Sequence, residues 1–199
     1  VFFLTNIICI KGWYIDFNKN LIGPPGGVVF QKLKQDLLSG NTTFSKALPE
    51  ALPLLRGKAP DEALIWLSNE LQGYQNALDF YRSQKHDLPA YRVVRGAIYL
   101  MMPDGSMQTL NHPYAQRPDF FLSAPINWIE DFSKFEGNES IVEMAEFASF
   151  FGGLGGAGVV CVCNRAELVR VIATFRNEFI RLLDYVMAQQ AQKEQGAPA

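Results

Sequence analysis

Apolar positions recur at helical spacing over most of the chain and at strand spacing over two short stretches. Val29, Leu33, Leu37 and Leu38 come round near every fourth position from Val28 onward, while Lys32, Lys34, Gln35 and Asp36 take the other faces. This pattern predicts an amphipathic helix ending at Ser39-Gly40-Asn41. Thr42 or Thr43 then caps a second helical segment carrying Phe44, Ala47, Leu48, Ala51 and Leu52. Pro49 and Pro53 fall inside it, and a proline costs a helix interior about 3 kcal/mol, so a kink or a pair of short helices is expected. A third helix begins at Pro60, which suits the first helical position, with Asp61 and Glu62 where the helix dipole favours acids. Leu64, Leu67, Leu71 and Tyr74 form its apolar stripe, and Gly73 supplies the stop. Gln75 to Asp87 is polar with interspersed aromatics and reads as a loop or an irregular helical turn.

Beyond that loop the period shortens. Val93 to Met102 is rich in β-branched and aromatic residues and runs into Pro103-Asp104-Gly105, a turn signal, so a hairpin closing on Met107 to Leu110 is expected. Asn111 to Pro125 holds three prolines and no period, the signature of an ordered loop packed by Tyr114, Phe120 and Phe121. Pro125 opens a short helix through Ile126, Ile129 and Phe132, and another is expected from Ser140 to Phe147. The glycine-rich run Phe151 to Gly158 precedes the apolar strand Val159 to Val162 instead of following one, and it lacks the Lys-Ser/Thr ending of a phosphate loop. It reads as a connector. The longest element is a helix from Arg165 to Lys193, opened by an approximate capping box of Asn164 and Glu167. Leu168, Ile172, Phe175, Phe179, Leu182 and Val186 follow the seam spacing of packed helices, to be buried against the same chain or against a second protomer.

The fold class that follows is α+β: N-terminal helices, a small antiparallel β-sheet or hairpin, and a long C-terminal helix packed on them. Gly23 to Gly27 marks the boundary between a leader of doubtful order, residues 1–26, and a single domain over residues 27–193, with a frayed tail over residues 194–199.

Composition narrows the function classes. With 199 residues, 48% of them hydrophobic, the chain is able to bury a sizeable core. A net charge of -2 speaks against a general nucleic-acid binder, which needs excess cations to neutralise phosphates. The three cysteines, Cys9, Cys161 and Cys163, are too few for a disulfide framework and fit reduced thiols in a cytoplasmic protein. Cys161-Val-Cys163 lacks the further ligands of a metal site and reads as a pair of small buried hydrophobes. The apolar start, Val1 to Ile10, is far shorter than the roughly 20 residues of a membrane span. His86 and His112 are the only histidines, so zinc or histidine-based nucleophile chemistry has little to build on, and no cofactor is implied. Arg165, Arg170, Arg176 and Arg181 are partly offset by Glu167, Glu178 and Asp184, which predicts a solvated helix face.

Two stretches are more specific, WLSNELQGY at Trp66 to Tyr74 and LPAYRVVRG at Leu88 to Gly96. Glu70 at a helix end and Arg92 entering a strand meet if the loop between them folds back, and a buried pair of this kind orients helix against sheet. A single acid with no second acid, metal or nucleophile beside it favours that structural role over catalysis. Trp66 and Tyr74 read as core or groove aromatics.

Trp66, Leu67, Glu70, Leu71, Gly73 and Tyr74, followed by Leu88, Pro89, Tyr91 and Arg92, resemble the AbiTii domain, a family associated with bacterial abortive infection against phage. Ala51-Leu52, Pro125-Ile126 and the FRNEFIRLLDYV segment from Phe175 are compatible with it, so the resemblance covers most of Val28 to Gln190; Pro49 and Pro53 depart from it. The resemblance implies a setting in phage defence and no particular reaction. On that basis the expected function is a cytoplasmic domain that senses or relays infection through protein contacts, with a protein partner or self-association through the C-terminal helix. The alternatives are a toxin-type enzyme acting on nucleic acid or nucleotide and a structural oligomerisation module. Trp66, Glu70, Gly73, Tyr74, Pro89, Tyr91 and Arg92 are expected to be structural signatures, bordering a groove, and not a catalytic set.

Overall fold

The computed structural model describes residues 7–10, 13–16, 19–22, 25–75, 88–145, 147 and 157–195, with the side chains of residues 27–75, 88–145, 147 and 157–193. His86, most of the glycine-rich run, the side chain of Cys9 and the last four residues lie outside the described part. The chain is mixed α+β, with a long C-terminal helix. Its contacts divide it into two compact units, Val1–Leu64 with Glu178–Ala199, and Ile65–Asn177.

In the first unit, β1 (Ile7–Ile10), β2 (Trp13–Asp16) and β3 (Lys19–Ile22) pair antiparallel in sequence order. Helices α1 (Pro25–Ser39) and α2 (Phe44–Leu55) follow. The buried stripe of α1 is Phe30, Leu33 and Leu37, whereas Val29 and Leu38, expected on that stripe, are exposed. Phe30 lies on the Leu33 and Leu37 side of the helical period, and the larger side chain takes the core position. Helix α2 is continuous through Pro49 and Pro53, correcting the expected kink or break. Both prolines are exposed, while Phe44, Ala47, Leu48, Ala51 and Leu55 bury the opposite face. Five buried apolar side chains outweigh two lost hydrogen bonds. Thr43 occupies the cap position, but its hydroxyl meets the hydroxyl of Ser45 at 2.8 Å and caps no backbone N–H.

The second unit holds the end of α3 (Asp61–Gln72) and a five-stranded antiparallel sheet. Its strands are β4 (Val93–Met101), β5 (Met107–Thr109), β6 (Asp119–Phe121), β7 (Glu139–Glu143) and β8 (Gly158–Asn164). The order is β5-β4-β8-β7, with β6 paired to β4. The β4–β5 hairpin forms as expected, its turn held by Ser106, whose N–H and hydroxyl donate to the Asp104 carboxylate at 2.9 and 2.7 Å. Strand β6 lies in the stretch expected to be irregular, because Phe120 and Phe121 are wholly buried and their backbone pairs with Val93 and Val94.

The expected helix from Ser140 to Phe147 is replaced over its first half by strand β7. Ser140 and Val142 are buried while Glu139, Ile141 and Glu143 are not, which is a period of two, and β8 supplies the ladder. Helix α4 (Ile126–Phe132) opens at Pro125 as expected.

Helix α5 (Arg165–Gln195) leaves β8 directly, and the Asn164 side chain accepts the Ala166 N–H at 2.8 Å. Glu167 pairs with Arg170 and does not reach back to complete the capping box. Leu168, Ile172, Phe175, Phe179 and Val186 are buried as expected, but Leu183 takes the core position assigned to Leu182. A straight helix of 3.6 residues per turn drifts off a strict seven-residue seam, which moves the buried position by one. No described helix is long and apolar enough to cross a membrane.

Candidate functional site

The motif residues converge within the second unit. Trp66 and Glu70 stand one turn apart on α3, and Tyr74 follows another four positions on. Gly73 ends the helix with φ at 89°. A Cβ there would also stand 2.8 Å from the Ser123 carbonyl oxygen, so glycine is required both for the left-handed turn and for the close approach. The same carbonyl accepts the Tyr74 N–H at 2.8 Å. Pro89 opens a short 3-10 turn over Ala90–Arg92, closed by the Arg92 N–H on the Pro89 carbonyl at 3.0 Å, and the turn delivers Tyr91 and Arg92 to Glu70.

Glu70 and Arg92 are both 0% exposed and form an ion pair through Glu70 Oε2 and Arg92 Nη2. Glu70 Oε1 accepts from the Tyr91 hydroxyl at 2.6 Å, the Tyr74 hydroxyl at 2.7 Å and Arg92 Nε at 3.2 Å. Arg92 Nη1 donates to the carbonyls of Leu122 and Ala124, at 2.9 and 2.5 Å. The guanidinium carbon also lies 5.0 Å from the centre of the Tyr74 ring, within cation–π reach. Trp66 Nε1 donates to the Tyr91 hydroxyl at 2.9 Å, and its ring packs 5.4 Å from that of Phe175. Tyr74 meets Phe121 edge-on at 5.3 Å, with Leu88 and Val93 packed around the pair.

All seven motif residues therefore take part in one assembly that joins α3, the 3-10 turn and the exit of β6. Burial, reinforced by the neighbouring Glu70 charge, raises the ionisation of Tyr74 and Tyr91 far above the ordinary phenol range. Both hydroxyls donate to Glu70, which fits the protonated form at neutral pH. The carboxylate accepts four hydrogen bonds, three at Oε1 and one at Oε2, and is 0% exposed. Through Arg92 it ties α3 to the Leu122 and Ala124 carbonyls beyond β6.

Arg165, Arg170 and Arg181 are exposed on the last helix, with Arg170 and Arg181 paired to Glu167 and Glu178, as expected of a solvated face, and Arg170 makes further bonds. It donates to the Tyr91 and Val93 carbonyls, at 3.1 and 2.6 Å, as well as to Glu167. An i,i+3 acid consumes only part of a guanidinium, and the remaining donors are the signal that more is bound.

Cys161 and Cys163 are buried free thiols. Cys161 is pushed well above the usual thiol range by its hydrogen bond to Cys163 and by burial. Gly96 stands opposite, where a Cβ would come within 2.6 Å of the Val162 carbonyl oxygen and 3.0 Å of Cys161 Sγ. His112 accepts the Tyr114 N–H at Nδ1, 3.3 Å away, and stacks on the Tyr114 ring. Among the described residues no three His, Cys, Asp or Glu side chains gather as a metal site would require.

Next to the clamp lies an open groove of about 360 Å³ bordered by Gln72, Tyr74, Ser123, Trp128 and Glu143. Trp128 is 49% exposed. Glu143 also borders a depression of about 470 Å³ with Met101, Phe132 and Ile141. A third depression, about 290 Å³, shares Phe132 and Ile141 and adds Phe135 and Glu139. Apart from Tyr74, expected to border a groove, sequence reasoning does not single out these residues, because they come together only once β7 is a strand beside α4. Comparison with protein-family models, with curated proteins and with solved structures gives no match, so the likeness to AbiTii rests on the motif residues alone.

Proposed function

We propose that the chain is a bacterial anti-phage domain of AbiTii type, working in the cytoplasm, that senses or relays infection through protein contacts. The observation that carries this reading is the state of the motif residues. Glu70 and Arg92, the residues any reaction at this site would need, are 0% exposed and spent on each other, on two tyrosines and on backbone carbonyls. What the assembly leaves at the surface is a run of shallow depressions with exposed aromatics, Trp128 and Phe135, which is the character of a contact surface. The rival reading, a toxin acting on nucleic acid or nucleotide, calls for a cleft gathering Glu70 and Arg92 with other polar groups. Their burial supports the contact reading over it.

The deciding experiment compares phage plaquing and culture growth in bacterial cells with and without the protein. The expected outcome is fewer or smaller plaques, together with a partner recovered by crosslinking during infection. Unchanged plaquing and growth with no recovered partner would remove the proposal, and turnover of RNA, DNA or nucleotides by the purified chain would replace it with the toxin.

A further inference from the structure

We infer that the outer edge of β7 is a docking edge for an extended peptide segment of a partner protein, one in which basic residues alternate with an apolar one. This deepens the protein-contact reading above and rests on it for its biological meaning, though its geometry stands separately. Among the described residues β7 is the last strand of its sheet. The Met144 N–H donates to the Val159 carbonyl and the Arg165 N–H to the Asn138 carbonyl, each at 2.8 Å, which fixes the phase of the ladder. Residues 138, 140, 142 and 144 bond toward β8. Glu139, Ile141 and Glu143 therefore point their N–H and C=O groups away from it, and no described residue takes them. An added strand would pair with all three, as in β-augmentation.

The side chains on the same three residues say what that strand carries. Glu139, Ile141 and Glu143 share the exposed face, acid-apolar-acid, and among the described residues neither glutamate is in an ion pair. Phe132, Phe135 and Met101 border the apolar depressions on either side of Ile141. A cation opposite each glutamate and an apolar residue opposite Ile141 complete favourable cross-strand pairs. A second copy of this strand does not fit: antiparallel pairing centred on Ile141 sets Glu139 of one copy against Glu143 of the other, twice. That like-charge facing both protects the edge from self-association and selects a basic partner.

The test titrates the full chain with a labelled synthetic peptide, Thr-Lys-Thr-Val-Thr-Lys-Thr, following fluorescence anisotropy and amide exchange. Two control peptides carry Glu for Lys or N-methyl groups along the backbone. The Lys peptide is expected to bind about tenfold more tightly than the Glu peptide, to slow exchange at Glu139, Ile141 and Glu143, and to lose binding on N-methylation. The variant Glu139→Lys with Glu143→Lys is expected to reverse the preference toward the Glu peptide. Equal binding of both peptides, protection elsewhere in the chain, an unreversed preference in the double variant, or a β7-mediated dimer on sizing would each overturn the inference. Because no phage is involved, an inactive protein in the plaque assay that still binds the Lys peptide removes only the defence reading. A protective protein that ignores the peptide removes only the docking edge.

Discussion

Glu70 and the pair Glu139 and Glu143 are the same side chain in opposite circumstances. Glu70 is wholly buried and its two oxygens take hydrogen bonds from two tyrosines and one arginine. Glu139 and Glu143 stand on an exposed strand face without a described cation. The first is surrounded by sequence-specific neighbours, and that is why its stretch of chain is recognisable; the second lies in an unremarkable five-residue run. Recognisability and availability point in opposite directions here. The residues that mark the family resemblance hold the backbone, and the residues free to meet another molecule carry no motif.

The sharpest way to break this contrast is Arg92→Met, which strands a buried carboxylate and is expected to cost about 3–5 kcal/mol in urea unfolding. Adding Glu70→Gln should recover part of that loss, and strictly additive effects would show that the two residues are not coupled.

Alkaline titration is next in size. Tyr74 and Tyr91 have ionisation raised in the folded state by burial and by Glu70, so their stabilisation is complete below the unfolded value near pH 10 and is lost as the pH climbs above it. Two such tyrosines should remove about 2–3 kcal/mol between pH 9 and 11, and the double change Tyr74→Phe with Tyr91→Phe should flatten that dependence. A profile that keeps its slope in the double variant would place the titrating groups elsewhere. Tyr91→Phe alone, which leaves Trp66 Nε1 and one Glu70 oxygen each short of a partner, should cost about 1–2 kcal/mol by thermal unfolding at neutral pH. At the small end, Glu139→Lys with Glu143→Lys should shift stability by no more than about 0.5 kcal/mol while changing what the edge binds. A large loss there would mean these carboxylates belong to the fold after all.

Much of the clamp is legible in the residues themselves. The stop at Gly73, the entry at Pro89 and the meeting of Glu70 with Arg92 follow from helix-ending chemistry and from the low tolerance for a buried acid without a partner. The Leu122 and Ala124 carbonyls that complete Arg92 are not legible, since backbone acceptors leave no mark in composition. β7 passes for a helix because Ile141, Val142 and Met144 fit helical and strand spacing equally well over so few residues, and only the pairing with β8 decides. The prolines of α2 mislead for a related reason: a propensity penalty is local, whereas the buried face that overrides it belongs to the whole helix.

The bonds of Arg92 have a consequence for the order of folding. They span 22 residues to Glu70, 30 to Leu122 and 32 to Ala124, so no neighbouring segment is able to satisfy the guanidinium early. An intermediate with two of the three segments docked holds a charge out of water with donors or acceptors still empty, and such a state is penalised by several kcal/mol. Loop-closure entropy must be met for all three before any one contact is worth having. The clamp is therefore expected to act as a kinetic AND gate for α3, the 3-10 turn and the exit of β6, and Arg92→Met is expected to slow refolding in stopped-flow measurements. An unchanged refolding rate with faster unfolding would show that the clamp closes after the folding barrier.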